Sequence, residues 1–216
     1  MKYSQSVCAL NLFQAIDKLD KLVNDGMMHM HLDLMDFHYT ESFGLNLESI
    51  NYLVERYPNV EFDVHCMVDD IMKILHKLTQ IKVKRISFPL DKASLKMVKK
   101  LKSLYQGFEF GVMIESHNQI ARYQQILKSV DFVVLMTIDK IGGTGVLLNP
   151  DLLKKIEEIK QINKDLLIIS DGGLRSNNIH LFNKAKVDIA VGGSIIDNYP
   201  NKQNTSFMDY WRREVE

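Results

Sequence analysis

Short apolar runs alternate with longer segments of helical period from one end of the chain to the other. "YSQSVCA" reads as a first strand, and "NLFQAIDKLDKLVND" after it sets Leu12, Ile16, Leu19 and Val23 on one helical face. The pairing then repeats: "MHMHLDLM" with "NLESINYLVERY", "VEFDVHCMV" with "DIMKILHKLTQ", "KRISFPL" with "KASLKMVKKLKSLY", and "FEFGVMI" with "NQIARYQQILKS". It continues as "DFVVLM" with "PDLLKKIEEIKQI", "DLLIIS" with "NNIHLFNKA", and "VDIAVGG" with "SIIDN" and a C-terminal helix around "FMDYWRREV". Eight strand–helix units in 216 residues predict one α/β domain over residues 1–216, a (β/α)8 TIM barrel. A doubly wound sheet is the alternative.

Period two within the strands locates the chemistry. In a parallel barrel one face of each strand packs on helices and the other fills the lumen. On the second strand Leu32 and Leu34 face one way, and His31, Asp33 and Met35 the other. On the third, Val64, Cys66 and Val68 oppose Asp63, His65 and Met67. The seventh is apolar until Asp171, directly before Gly172-Gly173. His31, Asp33, His65 and Asp171 thus form a candidate ligand set of two imidazoles and two carboxylates, suited to Zn²⁺, Fe²⁺, Mn²⁺ or Co²⁺. Taken singly, each histidine could be a hydrogen-bonded core residue and each aspartate a helix cap. The recurrence on separate strands, with apolar partners on the opposite face, favours one divalent metal ion.

Glycines mark a second function. "GGTG", Gly142 to Gly145, follows the sixth strand, "DGG" ends the seventh, and "VGGS", Val191 to Ser194, ends the eighth. Barrels bind phosphate with the loops after strands seven and eight and the N-terminus of a short extra helix, using backbone N–H groups. Gly172, Gly173, Gly193 and Ser194 are therefore expected at a phosphate, and Gly143 and Gly145 at the substrate. A glycine pair taken alone is more often a tight turn.

Composition narrows the partners. Lys plus Arg equals Asp plus Glu, so no whole-chain field attracts nucleic acid, and "KMVKKLK" reads as a solvated helix face. Cys8 and Cys66 fit neither a zinc spacing nor a disulfide framework, which suits a reducing cytoplasm. No signal peptide and no membrane-spanning run is expected.

The residues also resemble a known family. "HLDLMDFHY", His31 to Tyr39, is similar to the H-x-D-x-M-D-G-H-F motif of ribulose-phosphate 3-epimerases. "DVHCMVDD" resembles their D-x-H-L-M-V strand, "SDGG" their "VDGG", "GGS" their "AGS", and "QSVCALN" their "PSILSAD". "MTIDKIGGTGVLLNP", Met136 to Pro150, resembles their M-S-V-x-P-G-F-G-G-Q-x-F-I-P loop. The resemblance spans nearly the whole chain and keeps all four candidate ligands in order.

It implies a barrel of the ribulose-phosphate-binding type and an isomerase acting on a phosphorylated ketose, with D-ribulose 5-phosphate and D-xylulose 5-phosphate as the pair. The metal would act as Lewis acid on the substrate oxygens. Asp33 and Asp171 would move the C3 proton on opposite faces, through an enediolate. The sulfurs of Met35, Met67 and Met136 would border that planar species, unless these methionines are core filling. Ser6 and His65 would contact substrate, and a homo-oligomer is implied.

The departures cluster around the substrate. Phe37 replaces a glycine, "HYTESFG" is shorter than its family counterpart, and Pro89 stands near a customary histidine. The loop after the sixth strand has lost its Pro-Gly-Phe-Gly-Gly-Gln order. A 3-epimerase of a hexulose 6-phosphate or a specialised ketose, and a catalytically silent sugar-phosphate-binding barrel, are the alternatives these departures raise.

Overall fold

The computed structural model describes residues 1–143, 145–200 and 202–216. Eight parallel strands close into a barrel in chain order. They are β1 (Lys2–Ser6), β2 (His29–Met35), β3 (Glu61–Met67), β4 (Arg85–Pro89), β5 (Glu109–Ile114), β6 (Phe132–Met136), β7 (Leu167–Asp171) and β8 (Ile189–Gly192). Helices α1 (Ala15–Asn24), α2 (Leu47–Arg56), α3 (Met72–Leu78), α4 (Leu95–Leu104), α5 (Gln124–Leu127), α6 (Lys155–Ile162), α7 (Ile179–Lys184) and α8 (Phe207–Val215) follow the strands in turn. β1 pairs with β8, Lys2 opposite Ile189 and Ser4 opposite Val191. That pairing closes the sheet and overturns the doubly wound alternative.

The helical pattern is misleading at its start. Leu12 does not join the buried face of α1 but is 83% exposed, and Leu19 and Leu22 form that face. The cause is Asn11, whose side chain accepts a hydrogen bond from Phe13 N at 3.0 Å and caps a separate 3₁₀ turn, Leu12–Gln14. "NQIARY" and "PDLLK" likewise begin as 3₁₀ turns, Ile120–Tyr123 and Pro150–Lys154, before α5 and α6.

Alternation within the strands builds two apolar clusters on opposite sides of the sheet. Leu32, Val64, Ile86, Phe110, Val112, Val133 and Ile168 face the helices. Phe132, Val134, Met136, Ile169, Ile189 and Val191 fill the lumen with Met67 and Met113. The Phe132 ring fits because Gly111 opposes it in register. A Cβ at Gly111 would lie 2.7 Å from three of the ring carbons. Across the seam, Tyr3 packs on Phe207 and Trp211 of α8, with ring centroids 4.6 and 5.2 Å apart.

The lumen is divided by chemistry. The side contributed by β5 to β8 is largely apolar, whereas β1 to β4 turn Ser4, His31, Asp63, His65 and Ser87 inward, all buried. At the N-terminal end Arg85 bridges Glu61 (Nη1 to Oε2, 3.1 Å) and Glu109 (Nε to Oε2, 2.7 Å) and closes the barrel. The opposite, C-terminal end stays open as the cavity described next.

Candidate active site

β2 and β3 run in register, so His31 lies beside Asp63, Asp33 beside His65, and Met35 beside Met67. Two strands thus deliver paired polar side chains to one level of the lumen, and Asp171 joins them from the end of β7. One donor atom from each of His31, Asp33, His65 and Asp171 lies within 4.8 Å of all the others.

The contacts orient each group. His31 Nε2 is 3.1 Å from Asp33 Oδ1, 3.5 Å from Asp171 Oδ2 and 3.2 Å from His65 Nδ1. His65 Nδ1 is 3.5 Å from Asp33 Oδ1 and 3.4 Å from Asp171 Oδ2. The second nitrogen of His31, Nδ1, sits 2.5 Å from Asp63 Oδ2. Asp63 therefore accepts a hydrogen bond from Nδ1–H and leaves Nε2 facing the cluster, the arrangement a metal-bound imidazole needs. Asp33 Oδ2 accepts from Ser6 Oγ at 3.0 Å, which fixes the carboxylate plane. His65 Nε2 and the Oγ of its strand neighbour Ser87 are buried without a hydrogen-bond partner among the described residues.

Charge in this cluster is set by its neighbours. Burial alone would lower the His31 pKa, but the carboxylates of Asp63, Asp33 and Asp171 outweigh it and hold the pKa well above the usual histidine range. Burial would raise the carboxyl pKa values of Asp33 and Asp171, yet His31, with help from His65, holds both below the ordinary range. A cluster whose imidazoles and carboxylates neutralise one another, with two nitrogens and two oxygens converging, fits a divalent cation. The buried group could hold one.

Above this floor opens a cavity of about 570 Å³. Asp33 and Asp171 form its base, and the sulfur-bearing side chains of Met35, Met67 and Met136 line its wall. Ser6, Gly143, Gly145, Gly172, Gly173, Gly193 and Ser194 line it too, so the three glycine loops meet at one cavity. Thr144, within the first of those loops, lies outside the described residues. Gly173, at φ +75°, is required: a Cβ there would lie 2.5 Å from the backbone N and Cα of Leu148, where the loop after β6 rests on the turn after β7. Ser194 opens the 3₁₀ turn Ser194–Asp197.

His65 is fully buried and is not among the residues that line the cavity. Its Nδ1 lies within 3.5 Å of both Asp33 and Asp171, and those carboxylates occupy the cavity base. Phe37, the residue in the place of a family glycine, is 60% exposed and stacks on Phe43 with ring centroids 5.4 Å apart. It is Phe43, with Ser42, that lines the cavity. Asp36 is a brace: its carboxylate accepts from the backbone N–H groups of His38, Tyr39 and Asp69, tying the loops after β2 and β3.

Several contributors carry little sequence signal. Asp63 falls on the inward face by parity, but nothing in the spacing pairs it with His31. Cys8 and Arg175 line the cavity from loops, where no period applies. The Cys8 Sγ donates to Asp33 O at 3.5 Å, and burial, with the Asp33 charge, pushes its thiol pKa up to about 12. It is a wall, not a nucleophile.

Eight parallel strands, a polar floor and three glycine loops at the C-terminal mouth define a (β/α)8 barrel with its candidate site at the open end. Solved structures share that fold. KGPDC from Streptococcus mutans superposes with a TM-score of 0.70 at 15% identity, covering 98% of this chain and 97% of that one. 3-Hexulose-6-phosphate synthase from Salmonella typhimurium gives 0.68 at 15% identity, covering 94% and 93%. Residues 2–196 match the ribulose-phosphate 3 epimerase family, and the chain belongs to it. It is 32% identical to the ribulose-phosphate 3-epimerase of Mycoplasma genitalium over 192 residues, covering 86% of this chain and 88% of that one. It is 29% identical to that of Buchnera aphidicola subsp. Baizongia pistaciae over 217 residues, covering 95% and 93%. Among the described residues no helix is long and apolar enough to cross a membrane.

Proposed function

We propose that the chain is a metal-dependent 3-epimerase of a ketose phosphate, an isomerase interconverting D-ribulose 5-phosphate and D-xylulose 5-phosphate. The observation that carries this reading is the convergence of Asp33 and Asp171, from β2 and β7, on the base of one cavity rimmed by glycines. A divalent ion held by His31, Asp33, His65 and Asp171 would supply Lewis-acid polarisation of the substrate carbonyl, acidifying the C3 proton.

The chain's own residues do the rest. Ionised Asp33 takes the C3 proton from one face and becomes a carboxylic acid; the electron pair passes toward the carbonyl oxygen and gives a planar enediolate. Asp171 is ionised in the free cluster and must take up one proton as the substrate enters; it returns that proton to the opposite face of C3, and the direction of reaction exchanges these roles. Ser6 holds the Asp33 carboxylate in plane, so its proton-accepting orbital keeps a fixed aim. Met35, Met67 and Met136 cover the planar species with groups that carry no acidic proton. Backbone N–H groups of the Gly172-Gly173 and Gly193-Ser194 loops receive the phosphate.

The assembled pair favours turnover over a silent sugar-phosphate-binding barrel. A hexulose 6-phosphate or specialised ketose would use the same floor and differ at Ser42 and Phe43. A cytoplasmic homo-oligomer belongs to the same reading, and sizing in solution tests the assembly. The activity itself is tested by deuterium wash-in at C3 of D-ribulose 5-phosphate with metal-loaded protein. Exchange at C3 with product formation is expected; no exchange with any of several ketose phosphates rejects the reading.

A further inference from the structure

The cavity has an unbalanced charge. Two of its lining residues, Asp33 and Asp171, are carboxylates at the base, and among the described residues Arg175 is the one basic side chain that lines it. Arg175 stands two residues beyond Gly172-Gly173, at the rim where β7 ends. Its position is built. Its backbone N–H donates to Asn178 Oδ1 at 2.8 Å, and Asn178 Nδ2 donates back to Gly173 O at 2.9 Å. Its guanidinium is steadied by one bond, Nη1 to Leu174 O at 2.8 Å. Among the described residues it forms no ion pair, whereas Arg56, Arg85 and Arg212 each bind a carboxylate. A half-buried guanidinium with spare donors beside an anion-binding backbone is placed for bidentate contact with a phosphate.

We propose that Arg175 is a further substrate-binding residue, giving the ketose phosphate's terminal dianion a charged contact in addition to the glycine backbone. This rests on the ketose-phosphate reading above. It supplies what the backbone N–H groups cannot, a full positive charge at the phosphate end of a cavity whose other end is acidic. It also selects for phosphorylated over unphosphorylated sugars, because a neutral hydroxymethyl group leaves the guanidinium without its anion.

The test uses metal-loaded protein and the Arg175→Gln and Arg175→Lys variants. Two quantities are measured: KM and kcat for D-ribulose 5-phosphate, and the affinity for inorganic phosphate by calorimetry. Arg175→Gln is expected to raise KM and weaken phosphate binding by about tenfold to a hundredfold, with kcat falling much less, since the contact is present in ground and transition state alike. Arg175→Lys is expected to recover part of the loss, as a point charge without the planar fork. KM and phosphate affinity in Arg175→Gln within about twofold of the parent protein overturn the proposal. Should the Gln variant not fold, Arg175→Met, which keeps the apolar stem and removes the charge, takes its place, and KM and phosphate affinity within about twofold of the parent protein overturn the proposal equally. If the parent protein turns over no ketose phosphate, the activity reading fails, and the phosphate titration still decides the role of Arg175.

Discussion

His31 gives its Nδ1 to Asp63, 2.5 Å away, and thereby turns Nε2 toward Asp33, His65 and Asp171. The two residues are direct neighbours in the β2–β3 register. A carboxylate behind an imidazole fixes its tautomer and raises its basicity as a ligand. Replacing Asp63 by Ala leaves His31 Nδ1 buried and unpaired, at a cost of about 1–3 kcal/mol in thermal unfolding of the metal-free protein. Metal affinity is expected to fall about tenfold to a hundredfold. Asp63→Asn, which keeps an acceptor oxygen, is expected to lose less of both. Calorimetric metal titration and thermal melts check each value.

Metal binding should depend on pH in a definite direction. With its pKa held up by Asp63, Asp33 and Asp171, His31 in the metal-free protein keeps its proton at pH values where a free histidine has lost it. A metal requires that nitrogen unprotonated, so binding expels a proton. Apparent affinity is therefore expected to rise as pH rises and to fall on acidification, where protons compete for Nε2. Titrations between about pH 6 and pH 8, in buffers of different ionisation enthalpy, read the released proton directly.

Gly111 is expected to be a packing requirement. Gly111→Ala puts a methyl group 2.7 Å from the ring of Phe132, which is buried in the apolar cluster of the lumen. Overpacking of that kind costs about 1–3 kcal/mol. Chemical denaturation measures it, and Phe132→Leu in the same chain is expected to relieve part of the loss.

The substrate's outer carbons should be read by Phe43. Its ring lines the cavity and rests on Phe37. Phe43→Ala is expected to change the ratio of kcat/KM between pentulose and hexulose phosphates by about tenfold. The rates of C3 exchange at saturation should move less. A substrate panel on both proteins measures it.

The barrel and its floor were legible because period two has contrast on β2 and β3. His31, Asp33 and Met35, then Asp63, His65 and Met67, alternate with residues that pack on helices, and a two-residue repeat leaves no freedom in where they point. Asp171 was legible from its place before two glycines. The rim was not. Ser42, Phe43 and Arg175 sit on loops whose course depends on contacts such as Asp36 with Asp69 N and Gly173 with Leu148, which no spacing encodes. Phe37 draws notice as the substituted position, but its neighbour in space, Phe43, faces the cavity. Leu12 fits the helical period and still lies outside α1, because Asn11 caps a tighter turn first.

The assignment of Asp33 and Asp171 to opposite faces of one carbon predicts two separable half-reactions. It is tested most directly by following C3 deuterium exchange and net interconversion in parallel, in Asp33→Asn and Asp171→Asn proteins at verified full metal occupancy. Each variant is expected to lose interconversion by a factor of about 10² to 10⁴, while each still exchanges the C3 proton of one epimer, a different epimer in the two proteins. Interconversion at the parent rate in either variant, or exchange of the same epimer by both, would contradict the account.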